Sequence, residues 1–178
     1  MPEKLGSKII DYEVIGNDND ITKYVDECDF VVTMGFIKNA SSRVKLHKII
    51  AGAGGRLATI IASTAYVSRH AEVAPGTVVL HHAMVNADAK IGVGCIINTF
   101  ANIEHDVMVG DYSHISTGAM LNGNCEVGKR SFVGSGAVLV NGIRLTDDCI
   151  IGAGTVVIRN INHGGIYFGN PVKKVGEL

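Results

Sequence analysis

From Val67 onward an aliphatic side chain returns every six residues. The positions are Val67, Val73, Val79, Val85, Ile91, Ile97, Ile103, Val109, Ile115, Leu121, Val127, Val133, Leu139, Leu145, Ile151 and Val157, sixteen in a row without an insertion. Two residues ahead of each, nearly every repeat has a small side chain: Ala65, Ala71, Thr77, Ala83, Ala89, Cys95, Ala101 and onward to Thr155. A fixed period over such a length means stacked equal units, each touching only its neighbours. The pattern predicts a parallel β-helix. Each hexad supplies a short strand and a turn, and three hexads close one triangular coil. The aliphatic residue fills the axis, and the small one sits where space is short. Sixteen hexads give five coils and a third, roughly 25 Å of prism at about 4.8 Å per coil. Open strand edges then remain only at the two ends. With 22 glycines, 3 prolines and no tryptophan, the chain is suited to many tight corners and little aromatic packing.

The flanks read differently. Between residues 8 and 62 strand-like and helical stretches alternate: Ile9-Ile10, Tyr12 to Ile15, a short helix from Ile21 to Cys28, and a strand from Phe30 to Gly35. A helix follows from Asn39 to Ala51, capped by Asn39 or Ser41 and ended by Gly52-Ala53-Gly54-Gly55, and then a last strand from Leu57 to Ile61. This predicts a small α/β piece over 1–62, a truncated Rossmann-like unit, then the β-helix over 63–160 and a tail over 161–178. A net charge of −1 argues against a nucleic-acid or anionic-membrane footprint. Met1-Pro2-Glu3-Lys4 does not read as a secretion signal, and no apolar run approaches a membrane span. The expectation is a cytoplasmic protein. Four cysteines without a CxxC spacing do not form a disulfide framework or a zinc ribbon.

With 18 residues per coil, residues 18 apart stack, and three columns of corners emerge. The first runs Gly92-Val93-Gly94, Gly110-Asp111-Tyr112, Gly128-Lys129-Arg130 and Thr146-Asp147-Asp148, a solvated charged edge. The second runs Asn98-Thr99-Phe100, Ser116-Thr117-Gly118, Gly134-Ser135-Gly136 and Gly152-Ala153-Gly154. It loses its side chains toward the C-terminus, so it reads either as a groove for a thin, extended ligand or as glycines that simply suit tight corners. The third carries Asn86-Ala87-Asp88, Glu104-His105-Asp106 and Asn122-Gly123-Asn124. There His105 lies between two carboxylates, and Gly123 stacks one coil on, leaving room for a reacting group. A carboxylate neighbour raises an imidazole's basicity and fixes its tautomer, as a general base requires. His114 is half a coil from His105 and belongs to a different side of the prism. Cys95, Cys125 and Cys149 take the small inward position and read as core, and Cys28 has no histidine partner. A covalent intermediate on cysteine is therefore not expected. His81-His82 is a poor chelating pair.

The ladder, the tail Gly169-Asn170-Pro171-Val172-Lys173, the stretch Asn98-Thr99-Phe100-Ala101-Asn102-Ile103-Glu104-His105-Asp106 and the later Ser113-His114-Ile115-Ser116 together resemble hexapeptide acyltransferases. They are most similar to bacterial sugar acetyltransferases that acetylate nucleotide-linked 4-amino-sugars or sialic acid (the PglD/NeuD type). The resemblance implies a left-handed β-helix, acetyl-CoA as co-substrate with no metal, and a sugar acceptor acetylated on an amino or hydroxyl group. It also implies a homotrimer whose sites lie between subunits. It makes His105 the base, Asp106 or Glu104 its orienting acid, and His114 a hydrogen-bond donor to the thioester carbonyl. Gly123, Ser135 and Ala153 become acetyl-CoA contacts, and Asn98 the substrate edge of the site. Such enzymes usually start with a strand, a Gly-rich turn and a helix that hold the sugar's nucleotide. Here Gly52 to Gly55 follows a helix and reads as its terminator.

Two other classes share this fold. Gamma-type carbonic anhydrases place two zinc-ligating histidines five apart, a spacing that does not occur here. A non-catalytic trimeric scaffold would not need an acid-His-acid corner beneath a glycine.

Overall fold

The computed structural model of the chain describes residues 4–178; Met1 to Glu3 lie outside them, and with them most of the start that was read for a secretion signal. Two-residue strands recur every six residues from Ile60–Ile61 to Val156–Val157 and assemble into three parallel sheets, the faces of a prism. One face is built on Ile60–Ile61, Val78–Val79, Ile96–Ile97, His114–Ile115, Phe132–Val133 and Cys149–Ile151. Because the N-terminal piece packs on it, we call it the docking face. A second, the apolar face, holds Tyr66–Val67, Met84–Val85, Asn102–Ile103, Met120–Leu121, Val138–Leu139 and Val156–Val157. The third, the charged face, holds Glu72–Val73, Lys90–Ile91, Met108–Val109, Glu126–Val127 and Arg144–Leu145. In each face the register advances by 18 residues per coil, as in Asn102↔Met120. Pairing already includes Ile60–Ile61 with Val78–Val79, one step before the ladder counted from Val67.

The second residue of each strand points inward, and from Val79 to Val157 every one of these aliphatic side chains is buried. β-Branched residues suit such a strand, since their stiff χ1 fits the pleat. The small inward positions are buried too, and where they are polar they bond along the stack. Thr77 Oγ1 donates to the Gly92 carbonyl (2.7 Å) and accepts from Cys95 N (3.0 Å), while Ser113 Oγ donates to Gly128 O (2.7 Å) and accepts from Ser131 N (3.1 Å). Thr155 Oγ1 accepts from Gly169 N (3.2 Å).

From position 76 onward the corners use a residue in the left-handed region. Position 76 and each sixth position after it, through 154, has φ between +55° and +73°. Glycine fills six of these sites, and His82, Asp88, Phe100, Asp106, Tyr112, Asn124, Arg130 and Asp148 are the side chains that accept the strain. At the C-terminal end Gly165–Phe168 adds in parallel beside Cys149–Ile151 and Lys173–Gly176 returns antiparallel, capping the open edge.

Before the prism, Asp29–Phe30 pairs in parallel with Arg56–Leu57, and helix α1 (Ser41–Gly52) crosses between them. The stretch after Phe30 is not strand, and the expected helix at Ile21–Cys28 is a 3-10 helix over Asp18–Lys23. Asn39 Oδ1 accepts from Ser41 N at the start of α1 (2.7 Å), and Gly54, at φ +84°, ends it as Gly55 N returns to Ile50 O (2.9 Å). The piece is fastened to the prism by α1. Buried Arg43 donates from Nε to Gly94 O (2.8 Å) and from its terminal nitrogens to the carbonyls of Val32, Met34 and Gly76. One turn on, buried His47 fits against Gly76 and Gly94, where a Cβ would come within 2.6 and 2.8 Å of its Cε1. The edge of its ring meets Tyr112 at 5.4 Å. No helix among the described residues is long and apolar enough to cross a membrane.

Candidate active site

The turn between the apolar and charged faces presents His105 to solvent with half its side-chain surface exposed. Asp106 follows at φ +59°, a conformation that aspartate tolerates better than most residues. Its Oδ2 lies 2.7 Å from His105 Nδ1. A carboxylate only accepts, so Nδ1 carries the proton and the lone pair is on Nε2. Among the described residues Nε2 has no hydrogen-bond partner.

Gly123 was expected to leave space above the imidazole for a reacting group. The geometry is tighter: a Cβ on Gly123 would lie 2.6 Å from both Cε1 and Nε2 of His105, and its φ is outside the left-handed region. The ring itself fills the space, lying against bare backbone. Glycine is required there for contact with His105, not for backbone conformation.

Glu104 is turned away from His105. Its Oε2 accepts from Asn86 Nδ2 (3.0 Å) and its Oε1 from Asn102 Nδ2 (2.9 Å). Of the two acids left open by the sequence, only Asp106 touches the imidazole. Asn86 was in view as the residue 18 before Glu104, but its bond to that carboxylate was missed; stacking arithmetic was the signal that could have found it.

His114 lies on the docking face, 8% exposed, between the edges of Phe36 (5.7 Å) and Phe132 (5.1 Å). Nδ1 donates to the Phe36 carbonyl (2.9 Å) and Nε2 accepts from Asn98 Nδ2 (3.1 Å), whose Oδ1 in turn accepts from Thr99 N (2.7 Å). Burial holds its pKa below the ordinary value, and the Arg43 charge adds to this against the pull of the Phe36 carbonyl. Both ring nitrogens are thus engaged within the chain, one by the Phe36 carbonyl and one by the Asn98 amide. The groups that set its protonation from outside the repeat, the Phe36 carbonyl and the Arg43 charge, lie where coil arithmetic cannot reach.

The corner between the docking and apolar faces is bare. Gly118, Gly136 and Gly154 share φ +64° with nothing within 4 Å of a Cβ, and Gly134 lies so close to the next coil that a Cβ would meet Ala153 N at 2.6 Å. Gly152 is covered by the Phe168 ring. Both readings of these glycines therefore have a basis: each has a backbone or packing reason, and together they leave an open column. Ser135 and Ala153 are exposed on it, and Ser135 Oγ lies 3.0 Å from Ser116 Oγ.

The first column of corners is half covered by α1 at Gly94 and Tyr112. Beyond them it is an ion ladder in which Lys129 pairs with Asp111 (2.9 Å) and Arg130 with Asp148 (2.7 Å). Burial pushes the Cys95 thiol up to about 12 and Cys149 to about 11, which removes them as nucleophiles at neutral pH. His81 meets Thr64 Oγ1 at 3.0 Å rather than its neighbour. Among the described residues no cluster of three His, Cys, Asp or Glu side chains is placed to hold a metal ion.

No protein-family model matches the chain, and no curated protein matches its sequence. Solved structures do match. The acetyltransferase domain of PglB from Neisseria gonorrhoeae FA1090, in complex with acetyl coenzyme A, superposes with a TM-score of 0.90 at 30% identity, over 94% of this chain and 81% of that one. PerB from Caulobacter crescentus, in complex with CoA and GDP-perosamine, gives 0.89 at 30% identity over 94% and 81%. The H141N mutant of perosamine N-acetyltransferase from Caulobacter crescentus, also with CoA and GDP-perosamine, gives 0.90 at 28% over 97% and 82%.

Proposed function

Because this chain belongs to the hexapeptide-repeat, left-handed β-helix sugar acetyltransferases of the PglD/NeuD type, we propose that it moves the acetyl group of acetyl-CoA to the 4-amino group of a nucleotide-linked sugar, with His105 as general base. The observation that carries the proposal is the Asp106–His105 pair: Nδ1 is held at 2.7 Å and Nε2 is left unpartnered at an exposed corner.

The amine attacks the thioester carbonyl and its proton passes to Nε2. The tetrahedral intermediate collapses, the C–S bond breaks, and the leaving thiolate takes the proton from the imidazolium. Asp106 holds the tautomer and stabilises that cation. Glu104, fixed by Asn86 and Asn102, shapes the corner. The cofactor lies along the bare column at Ser135 and Ala153, reaching toward the coil of Gly123, and Asn98 lines the substrate edge while it orients His114. An amine is favoured over a hydroxyl acceptor because the similar PerB is a complex with GDP-perosamine. Acetyl-CoA and nucleotide-linked sugars are cytoplasmic metabolites, so the reaction belongs in the cytoplasm.

A single chain separates base and cofactor column across one face of the prism. That face carries an outward row of Tyr66, Met84, Asn102, Met120, Val138 and Val156, apolar but for Asn102, with Tyr66 57%, Met84 42% and Met120 39% exposed. In our reading this row turns toward the axis of a homotrimer, which sets the bare column of one subunit beside His105 of the next. Such an apolar row is what a permanent interface buries.

The test is release of CoA thiol with GDP-perosamine and with hydroxyl-only sugar nucleotides, run beside sedimentation. Transfer to the amine by a trimer is expected. Transfer confined to hydroxyl acceptors, or full activity in a monomer, would overturn the reading.

A further inference from the structure

Phe100 is held in the left-handed region at φ +58°, which is costly for a large side chain. Other large or charged side chains at the same corner position have compensation within the chain, and Asp88 and Asn124 are of types that tolerate this φ. Tyr112 covers His47, Arg130 pairs with Asp148, and Asp106 bonds His105. Phe100 instead leaves 62% of its surface to solvent. Its one aromatic contact is His82, the residue one coil earlier, stacked at 4.9 Å and 18°. One coil later stands Gly118, with open space where a Cβ would be, followed by Gly136 and Gly154 in the same state. One ring face is therefore backed by His82, while the other looks along the bare column. An apolar ring kept strained and exposed at the end of a groove points to a ligand rather than to stability.

We infer that Phe100, backed by His82, is the stacking wall against which the acceptor sugar's ring lies during transfer. This rests on the acetyltransfer reading given above. The column from Gly118 to Gly154 takes the cofactor in that reading, so its reacting end faces Phe100. Phe100 also shares a coil with His105, the level at which an amine must stand to meet base and thioester together. A pyranose presents axial C–H bonds on one face, and these pack on an aromatic ring as a polar group would not. The ring thus selects the acceptor's orientation, and it acts as a specificity residue.

The test compares Phe100→Asn, which keeps a residue tolerant of left-handed φ but removes the ring, with Phe100→Tyr, which keeps the ring. Binding and turnover are measured with GDP-perosamine and acetyl-CoA, together with melting and sedimentation. The expected result for Phe100→Asn is an acceptor KM raised by about tenfold. Its acetyl-CoA KM should stay within about twofold and its melting temperature should be equal or higher. Phe100→Tyr should behave as wild type. An unchanged acceptor KM in Phe100→Asn would overturn the wall while leaving acetyltransfer standing. Weakened acetyl-CoA binding would assign the ring to the cofactor, and loss of the oligomer would assign it to an interface; either overturns the inference. Wild-type protein that transfers to no sugar would overturn the parent reading as well, and is told apart because it fails before any substitution is made.

Discussion

His105 and His47 both meet glycine backbone of the same repeat, and each ring lies close enough to forbid a Cβ there. The outcomes are opposite. At the His105 corner nothing packs over the ring, one nitrogen is held by Asp106, and the other is open. On the strip where α1 meets the prism, His47 is 1% exposed and neither nitrogen has a partner. Burial, with the Arg43 charge beside it, pushes its pKa down to about 4. A hexapeptide corner is thus a neutral mount: what covers it decides whether a histidine can move a proton or is locked neutral.

The largest expected effect separates the two regions by function. His105→Ala should lower kcat by roughly 10²–10⁴ with acetyl-CoA affinity and melting temperature nearly unchanged, since the ring is exposed and in the proposed reaction meets the acceptor rather than the cofactor. Turnover near wild type at saturating substrate would break the contrast, because the open corner would then do no more chemistry than the covered one.

The covered strip should respond in stability. Arg43 supplies hydrogen bonds to carbonyls of Val32, Met34, Gly76 and Gly94. Arg43→Met leaves these acceptors buried without donors, at a cost of about 3–5 kcal/mol. Chemical unfolding should show that loss, and limited proteolysis should cut first within the N-terminal piece. If stability is unaffected, α1 is not what fastens the piece to the prism.

This strip also marks the limit of what the sequence discloses. The ladder was legible because each coil repeats its neighbour, so one aliphatic position per six residues describes the whole core. The third-column corner was legible for the same reason: residues 18 apart stack, which aligned Gly123 with His105. The left-handed position was not, because its occupants range from glycine to Phe100 and Arg130 and share only a φ. Arg43 and His47 belong to a helix outside the repeat; Arg43 bonds backbone carbonyls and His47 packs against glycine backbone, which leave no trace in side-chain pattern. Glu104 lay between: its neighbours were visible, but whether its carboxylate turned to His105 or to Asn86 and Asn102 depended on rotamers.

Titration gives a smaller effect on the same strip. An unfolded histidine has a pKa of about 6.5, and folded His47 about 4. Between these values the unfolded chain holds a proton that the folded chain lacks, so stability rises with pH through this window. The contribution is complete above the unfolded value and lost as pH falls toward the folded one, amounting to about 3 kcal/mol in full. His114, also depressed by burial, acts in the same direction. Urea unfolding of wild type and His47→Leu from pH 4 to 7 isolates the His47 share as the difference between the curves. Parallel curves would mean that His47 is protonated, or wet, in the folded protein.

The smallest effect asks which acid makes the open corner work. Asp106 and Glu104 flank His105 equally in sequence, yet only Asp106 touches Nδ1. Asp106→Asn keeps a side chain suited to φ +59° and an oxygen able to accept from Nδ1. What it removes is the charge that, in the proposed reaction, stabilises the imidazolium as the amine loses its proton. A charge-assisted hydrogen bond exceeds a neutral one by about 1–2 kcal/mol, so kcat should fall by about tenfold, far less than on loss of the ring itself. Glu104→Gln should leave kcat within about twofold and instead lower the melting temperature slightly, because one amide would then face another where Asn86 or Asn102 now donates to a carboxylate. The paired measurement is kcat and melting temperature for both variants at one pH. If Glu104→Gln carried the kinetic loss and Asp106→Asn the thermal one, the acid that serves the base would be Glu104, and the 2.7 Å contact would be a feature of the turn rather than of the reaction.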